Sequence, residues 1–190
     1  MRIISGSARG TKLYTLEGKN TRPTLDRVRE SVFNIIQNEI KESTFVDLFS
    51  GSGAVGLEAA SRGAKKVILC DKSKEATQII NKNIEKTHLQ EKVKLYNTDF
   101  VSLIKNKINE KIHIIYIDPP YDSDYIYISI KEILEKEIID ENSIIIIETD
   151  QEERILKQIQ ELKIEIIDKR KYGRANIIFL KLKKETIGKG

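Results

Sequence analysis

From residue 44 onward, short apolar runs alternate with longer stretches in which apolar residues return at helical spacing. The runs Thr44–Phe49, Val67–Asp71, Val93–Asn97, Ile112–Asp118 and Ser143–Glu148 read as strands, and the stretches 54–62, 73–87, 100–108, 124–137 and 151–161 as amphipathic helices. Regular alternation of the two implies parallel strands joined by crossovers. Ile112–Asp118 and Ser143–Glu148 are apolar almost throughout, as strands covered on both faces are, so the pattern predicts a Rossmann-like, doubly wound α/β sheet. The end of the chain departs from it. Ile164–Ile167 and Asn176–Leu182 read as strands whose connection is too short for a crossover helix, which predicts an antiparallel hairpin at one edge. Ahead of the repeat, Arg2–Ile4 and Lys12–Leu16 have β-type composition. Arg22-Pro23-Thr24 signals a helix start, and Val28, Val32, Phe33, Ile36 and Ile40 keep helical spacing to about Lys41. The chain therefore divides into an extension over 1–41 and a sheet domain over 42–190.

Composition narrows the classes. At 190 residues, with 39% hydrophobic and 33% charged positions, the chain suits one folded domain with a small appendage. No apolar run approaches the roughly 20 residues of a membrane span, and the first residues lack the apolar core of a secretory signal, so a cytoplasmic location without a membrane partner is expected. The lone Cys70 lies in an apolar strand and reads as a small core residue. His88 and His113 have no partners at ligand spacing, so no metal is expected. The net charge of +4 is uneven: residues 1–29 hold seven basic against two acidic groups, residues 163–190 hold nine against three, and the middle carries −7. Arg2, Arg9, Arg22, Arg27 and Arg29 all fall in the first segment, and guanidinium forks suit phosphates and guanine edges. A solvated surface is the plainer alternative. Because a helix turns about 100° per residue, Arg27 and Arg29 point about 200° apart, so at least one of these arginines is expected to pair within the protein.

Three constellations sit at the ends of predicted strands, where a doubly wound sheet places its ligands. Asp47-Leu-Phe49-Ser-Gly51-Ser-Gly53-Ala-Val-Gly56 is a glycine-rich strand-to-helix turn that lets the backbone approach a ligand, and Asp71 follows about 20 residues later, placed to accept from ribose hydroxyls. Both features suit any adenosine cofactor, so a nicotinamide dinucleotide oxidoreductase stays open. Asp47 favours a cofactor carrying an ammonium group, such as S-adenosylmethionine, over a pyrophosphate of like charge. Phe49 and Lys72 belong to the same cofactor set. Asp99, in Asn97-Thr-Asp-Phe100, could accept from an adenine amine with Phe100 against the ring, or could simply cap the next helix. Last, Asp118-Pro119-Pro120-Tyr121 ends an apolar strand. Its prolines stiffen the backbone, and Asp118 with the Pro119 carbonyl can take both protons of a planar exocyclic amine while Tyr121 stacks on the base; a plain turn is the alternative.

The Asp47–Gly56 turn together with Asp118–Tyr121 resembles the class I S-adenosylmethionine-dependent methyltransferases of exocyclic base amines. Arg2-Ile-Ile-Ser-Gly6, Arg22-Pro-Thr-Leu-Asp26-Arg-Val-Arg29-Glu30, Phe33-Asn34 and Glu58-Ala-Ala-Ser-Arg62-Gly63 narrow the resemblance to the bacterial 16S ribosomal RNA guanine-N2 methyltransferases of the RsmD type. It covers nearly the whole chain. One departure is Tyr172-Gly173-Arg174-Ala175, with Ala where the family commonly has Thr. The resemblance implies methyl transfer to guanine 966 of 16S ribosomal RNA, in the small subunit or an assembly intermediate, by a monomer. It also implies that Asp47, Gly51, Gly53, Asp71 and Asp99 hold the cofactor, that Asp118 to Tyr121 hold the base, and that the basic N-terminal segment contacts RNA. An N6-adenine or other exocyclic-amine methyltransferase acting on DNA or RNA, and a non-catalytic RNA-binding protein, are the alternatives.

Overall fold

The computed structural model describes residues 1–16, 23–120 and 123–184, so Arg22 and Tyr121 lie outside the described residues. After an N-terminal segment come helices α1 (Pro23–Ile35) and α2 (Gln37–Ile40). The alternating repeat follows: β1 (Thr44–Asp47), α3 (Ala54–Ser61), β2 (Lys66–Asp71), α4 (Lys74–Thr87), β3 (Val93–Asn97), α5 (Phe100–Asn106), β4 (Ile114–Ile117), α6 (Tyr125–Glu135), β5 (Ile144–Thr149) and α7 (Glu152–Ile159). The chain closes with β6 (Ile164–Tyr172) and β7 (Ala175–Leu182). Among the described residues no helix is long and apolar enough to cross a membrane.

The sheet has the order β3-β2-β1-β4-β5-β7-β6. Strands β1 to β5 are parallel, and β7 runs antiparallel to both β5 and β6. Successive crossovers proceed outward from β1 to β3 on one side and from β4 to β5 on the other. The order therefore reverses between β1 and β4, and their carboxyl ends open a crevice there. The period of two along each strand sorts side chains between two cores. Phe45, Tyr116 and Ile146 pack with α3, α4 and the N-terminal residues Ile3, Leu13 and Phe33, whereas Val46, Ile117 and Ile145 pack under α5, α6 and α7.

Three expectations shift. The helix predicted to run on to about Lys41 breaks at Ile36 into α1 and α2. The N-terminal β-type stretches make only one isolated antiparallel bridge, Arg2 to Lys12. The connection between the two predicted C-terminal strands is mostly strand: β6 runs on to Tyr172, and Gly173 takes the left-handed conformation (φ +62°) and closes a two-residue turn between the paired Tyr172 and Ala175. The exposed edge strand β6 hid this in the sequence, since Ile166 and Ile167 both face solvent around a bulge and break the alternation.

The N-terminal segment is fastened to α3 by one buried acid. Glu58, fully buried, accepts from the backbone N–H groups of Ile4 (2.7 Å) and Ser5 (3.0 Å) and from Arg62 Nε (2.7 Å). Arg29 Nε lies 3.9 Å away, and the Arg29 guanidinium donates to the Arg2 carbonyl and to Asp26. Ser61 completes the seam: its Oγ accepts from Ala8 N–H (2.9 Å) and donates to the Ser5 carbonyl (2.6 Å). The backbone of Gly6 runs so close that a Cβ there would meet the Ser61 carbonyl oxygen at 1.9 Å, which only glycine avoids. Farther along, the buried Asn83 of α4 accepts from Tyr14 N–H and donates to the carbonyls of Tyr14 and Ser52, tying the segment to the glycine-rich turn.

Glu58→Gln puts an amide donor against these donors and removes the charge opposite Arg62 and Arg29. The expected cost is about 3–5 kcal/mol, or roughly 6–20 °C in melting temperature. A thermal unfolding scan of the variant checks this, and a midpoint within about 2 °C of wild type would show that the seam does not depend on the carboxylate.

Candidate active site

The crevice between β1 and β4 holds a cavity of about 740 Å³. At one end, Asp71 leaves β2 and accepts Gly51 N–H (2.9 Å) on Oδ2 and Ser73 N–H (2.9 Å) on Oδ1, which fixes the glycine-rich turn against the start of α4. Each oxygen keeps a further lone pair for a ligand hydroxyl. Asp99 caps α5, accepting Ser102 N–H (2.9 Å) and Ser102 Oγ–H (2.7 Å), and these bonds hold its carboxyl below the usual range. The helix-cap alternative is therefore realised, and the same residue lines the cavity. An aromatic wall completes this end. Phe49 stacks on Tyr125 at 6.0 Å, Phe100 sits 5.0 and 5.2 Å from those two rings, and Lys72 Nζ reaches 5.8 Å from the Tyr125 ring. Asp118, Pro119 and Pro120 form the other end. The Pro120 carbonyl accepts from Ser123 N–H and Oγ–H.

A second chamber, of about 200 Å³, adjoins it on the α3 side of the sheet; Phe49, Gly51 and Asp118 line both. Its walls include Met1, Thr15, Leu16 and Arg29 from the N-terminal segment and α1, and Asp47, Tyr116 and Glu148 from the sheet. The Tyr116 hydroxyl donates to Glu148 Oε2 at 2.5 Å. Burial, followed by the neighbouring carboxylates of Glu148, Asp118 and Asp47, pushes the Tyr116 pKa well up, so the hydroxyl stays a donor. Burial likewise pushes Asp47 up to about 7, against the lowering effect of the Phe49 N–H that it accepts at 3.3 Å.

The predicted cofactor residues Phe49, Gly51, Asp71, Lys72, Asp99 and Phe100 thus share one cavity with Asp118, Pro119 and Pro120. Asp47 faces the adjoining chamber instead, and Gly53 caps α3 and packs against Ile80. Tyr121 is outside the described residues. A cavity with a hydroxyl-accepting acid, an aromatic wall and a nearby buried carboxyl fits S-adenosylmethionine, whose adenosine would lie against Asp71, Asp99 and Phe100. Sequence reasoning passed over Tyr125, Tyr116, Glu148 and Asn83. Each looks like an ordinary strand or helix residue; the sheet register and helix packing bring Tyr125, Tyr116 and Glu148 to the crevice, while Asn83 is buried behind it and ties Tyr14 to Ser52.

The arginines separate. Arg2, Arg9 and Arg27 border a groove of about 450 Å³ that also holds Asp26 and Glu30. Arg29 does not belong with them: it is 5% exposed, and its guanidinium is engaged by the Arg2 carbonyl, Asp26 and Glu58. Its charge serves the seam and leaves no surface for a phosphate. Arg22 is outside the described residues.

Comparison with known proteins gives a consistent picture. The chain matches the family described as conserved hypothetical protein 95 over residues 1–181. It is 34% identical over 154 residues to the ribosomal RNA small subunit methyltransferase D of Buchnera aphidicola subsp. Acyrthosiphon pisum, covering 81% of this chain and 80% of that one. It is 32% identical over 158 residues to the protein of the same name from Haemophilus influenzae, covering 82% of each. A solved structure named "Putative methyltransferase yhhF from Escherichia coli" superposes with a TM-score of 0.81 at 26% identity, over 97% of this chain and 99% of that one.

The raised pKa of Asp47 has a definite sign in stability. An acid whose folded pKa lies near 7, above its ordinary 3.8, stabilises the fold through its proton at low pH and loses that contribution as pH rises through about 7. Asp47→Asn, neutral throughout, is expected to melt higher than wild type at about pH 8, with the advantage shrinking toward about pH 5. Melting curves across that range check it; a deficit of the same size at both ends would mean that Asp47 is held ionised.

Proposed function

The chain belongs to the conserved hypothetical protein 95 family, and on that footing we propose that it is an S-adenosylmethionine-dependent methyltransferase acting on the exocyclic N2 amine of a guanine in small-subunit ribosomal RNA. The observation that carries this reading is the single cavity that joins a cofactor end, Asp71 with Phe100, to the stiff Asp118-Pro119-Pro120 segment at the end of β4. The cofactor, when bound, supplies an electrophilic methyl group. Asp118 and the Pro119 carbonyl accept the two protons of the target amine, which draws its lone pair out of conjugation with the ring and aims it across the cavity. The amine gains a methyl and sheds one proton, to Asp118 or to water. Phe49 and Tyr125 keep that space apolar, so the charge interactions within it are strong.

The names of the curated relatives, ribosomal RNA small subunit methyltransferase D, support a small-subunit ribosomal RNA substrate; guanine 966 is the target that the RsmD-type resemblance implies. The extension over 1–41 would contact that RNA through Arg2, Arg9 and Arg27, whose groove opens on the same N-terminal segment that walls the smaller chamber. The enzyme would act as a monomer in the cytoplasm, on the small subunit or an assembly intermediate.

Asp118→Ala is expected to abolish methyl transfer to small-subunit RNA while leaving S-adenosylhomocysteine affinity within about threefold, less than about 1 kcal/mol. Labelled-methyl incorporation and isothermal titration on the same preparation check it. Substantial turnover by the variant would remove Asp118 from the amine.

A further inference from the structure

We propose that Glu148 reads the Watson–Crick edge of the target base: its carboxylate accepts the N1–H of guanine, next to the N2 amine held by Asp118, and this contact selects guanine over purines that lack that proton. The assignment rests on the function proposed above. In the parallel pairing of β4 with β5, Ile117 is opposite Ile147, so Asp118, the first residue past β4, neighbours Glu148, which is still within β5 and paired with Ile177 of β7; neighbouring strands lie about 4.8 Å apart. Tyr116 lies two residues before Asp118, on the same face, and its hydroxyl donates to Glu148 Oε2. Glu148 and Asp118 also line the same small chamber.

Glu148 is only 7% exposed, yet among the described residues the Tyr116 hydroxyl is the one group that donates to its carboxylate, and no cation forms a salt bridge with it. Its second oxygen is not sealed in the core: it keeps access from the chamber and a lone pair for a ligand donor. Guanine offers the matching pattern, since N1–H and N2–H₂ are adjacent donors on one edge and meet two acceptors side by side. Adenine and 2-aminopurine present a lone pair at N1, which the Glu148 carboxylate would repel. Tyr116 acts as a positioning residue: by donating to Oε2 it leaves Oε1 to accept from a ligand. Of the carboxylates near the Tyr116 hydroxyl, Glu148 is the one that accepts from it, which leaves its acceptor beside Asp118 for a donor-bearing base edge.

The test compares small-subunit RNA carrying either guanine or 2-aminopurine at the target position, free or packaged with subunit proteins. 2-Aminopurine keeps the reacting amine and lacks both N1–H and the C6 carbonyl, so the part of the preference due to N1–H is read from how the Glu148 and Tyr116 variants change it. For wild type we expect kcat/KM to favour guanine by at least about 100-fold, as when a site's buried acceptor loses its donor. Glu148→Gln, whose amide can donate to the N1 lone pair, is expected to shrink that ratio at least tenfold, chiefly through a gain on 2-aminopurine. Tyr116→Phe is expected to lower the ratio severalfold without reversing it, and it carries the test alone if the first variant fails to fold, judged by thermal protection with S-adenosylhomocysteine. If both folded variants keep the ratio within about threefold of wild type, Glu148 is not the reader. If wild type places no methyl on guanine N2, the function proposed above falls first, and this assignment with it.

Discussion

One buried carboxylate organises the N-terminal half of the site. Glu58 sits fully buried on α3, where an acid survives only if its oxygens are met, and the groups that meet them are the Ile4 and Ser5 amides and Arg62, with Arg29 close by. Those partners come from three separate stretches of chain. Satisfying one acid therefore fixes the position of the first residues, of α1 and of α3 together. The first residues and α1 then supply Met1, Thr15, Leu16 and Arg29 as one wall of the chamber beside Asp118. Without the seam, the sheet would still present Asp71 and Asp118 at its carboxyl edge, but the crevice would be open to water on the α3 side.

The sheet edge itself is built as an acidic surface. Asp47, Asp71, Asp99, Asp118 and Glu148 end or follow successive strands, and Arg29, which lines the smaller chamber, is already engaged in the seam. Such an edge is poor for a dinucleotide pyrophosphate and good for a cationic cofactor together with a base edge rich in N–H donors. Lys72 is a cation of the main cavity, set against the Tyr125 ring. Arg2, Arg9 and Arg27 lie apart from that edge, around the groove on the N-terminal segment.

Much of this was legible in the sequence, because two of its signals are local. Apolar strands such as Ile114–Ile117 alternate with amphipathic helices, and that pattern alone specified the parallel sheet and the position of the glycine-rich turn and of Asp118 at strand ends. Where the outcome depended on contacts between distant residues, less was legible. An internal pair for one N-terminal arginine was expected and Glu58 stood in a motif, but that Arg29 is the one, and that Glu58 takes the Ile4 and Ser5 amides, shows only where α3 and the first residues meet. Glu148 reads as the end of an apolar strand, and only the β4–β5 register sets it beside Asp118. The edge strand β6 was underestimated for a different reason: half-exposed Ile166 and Ile167 flank a bulge, so its alternation fails where the strand continues.

The reaction proposed for this cavity is delivery of one methyl group to the exocyclic N2 of guanine. Nucleoside analysis of unmethylated small-subunit RNA, after incubation with the purified protein and S-adenosylmethionine, measures it most directly. N2-methylguanosine at a single position is the expected product. Methylation at adenine N6, at a ring nitrogen of guanine, or at no base would contradict it.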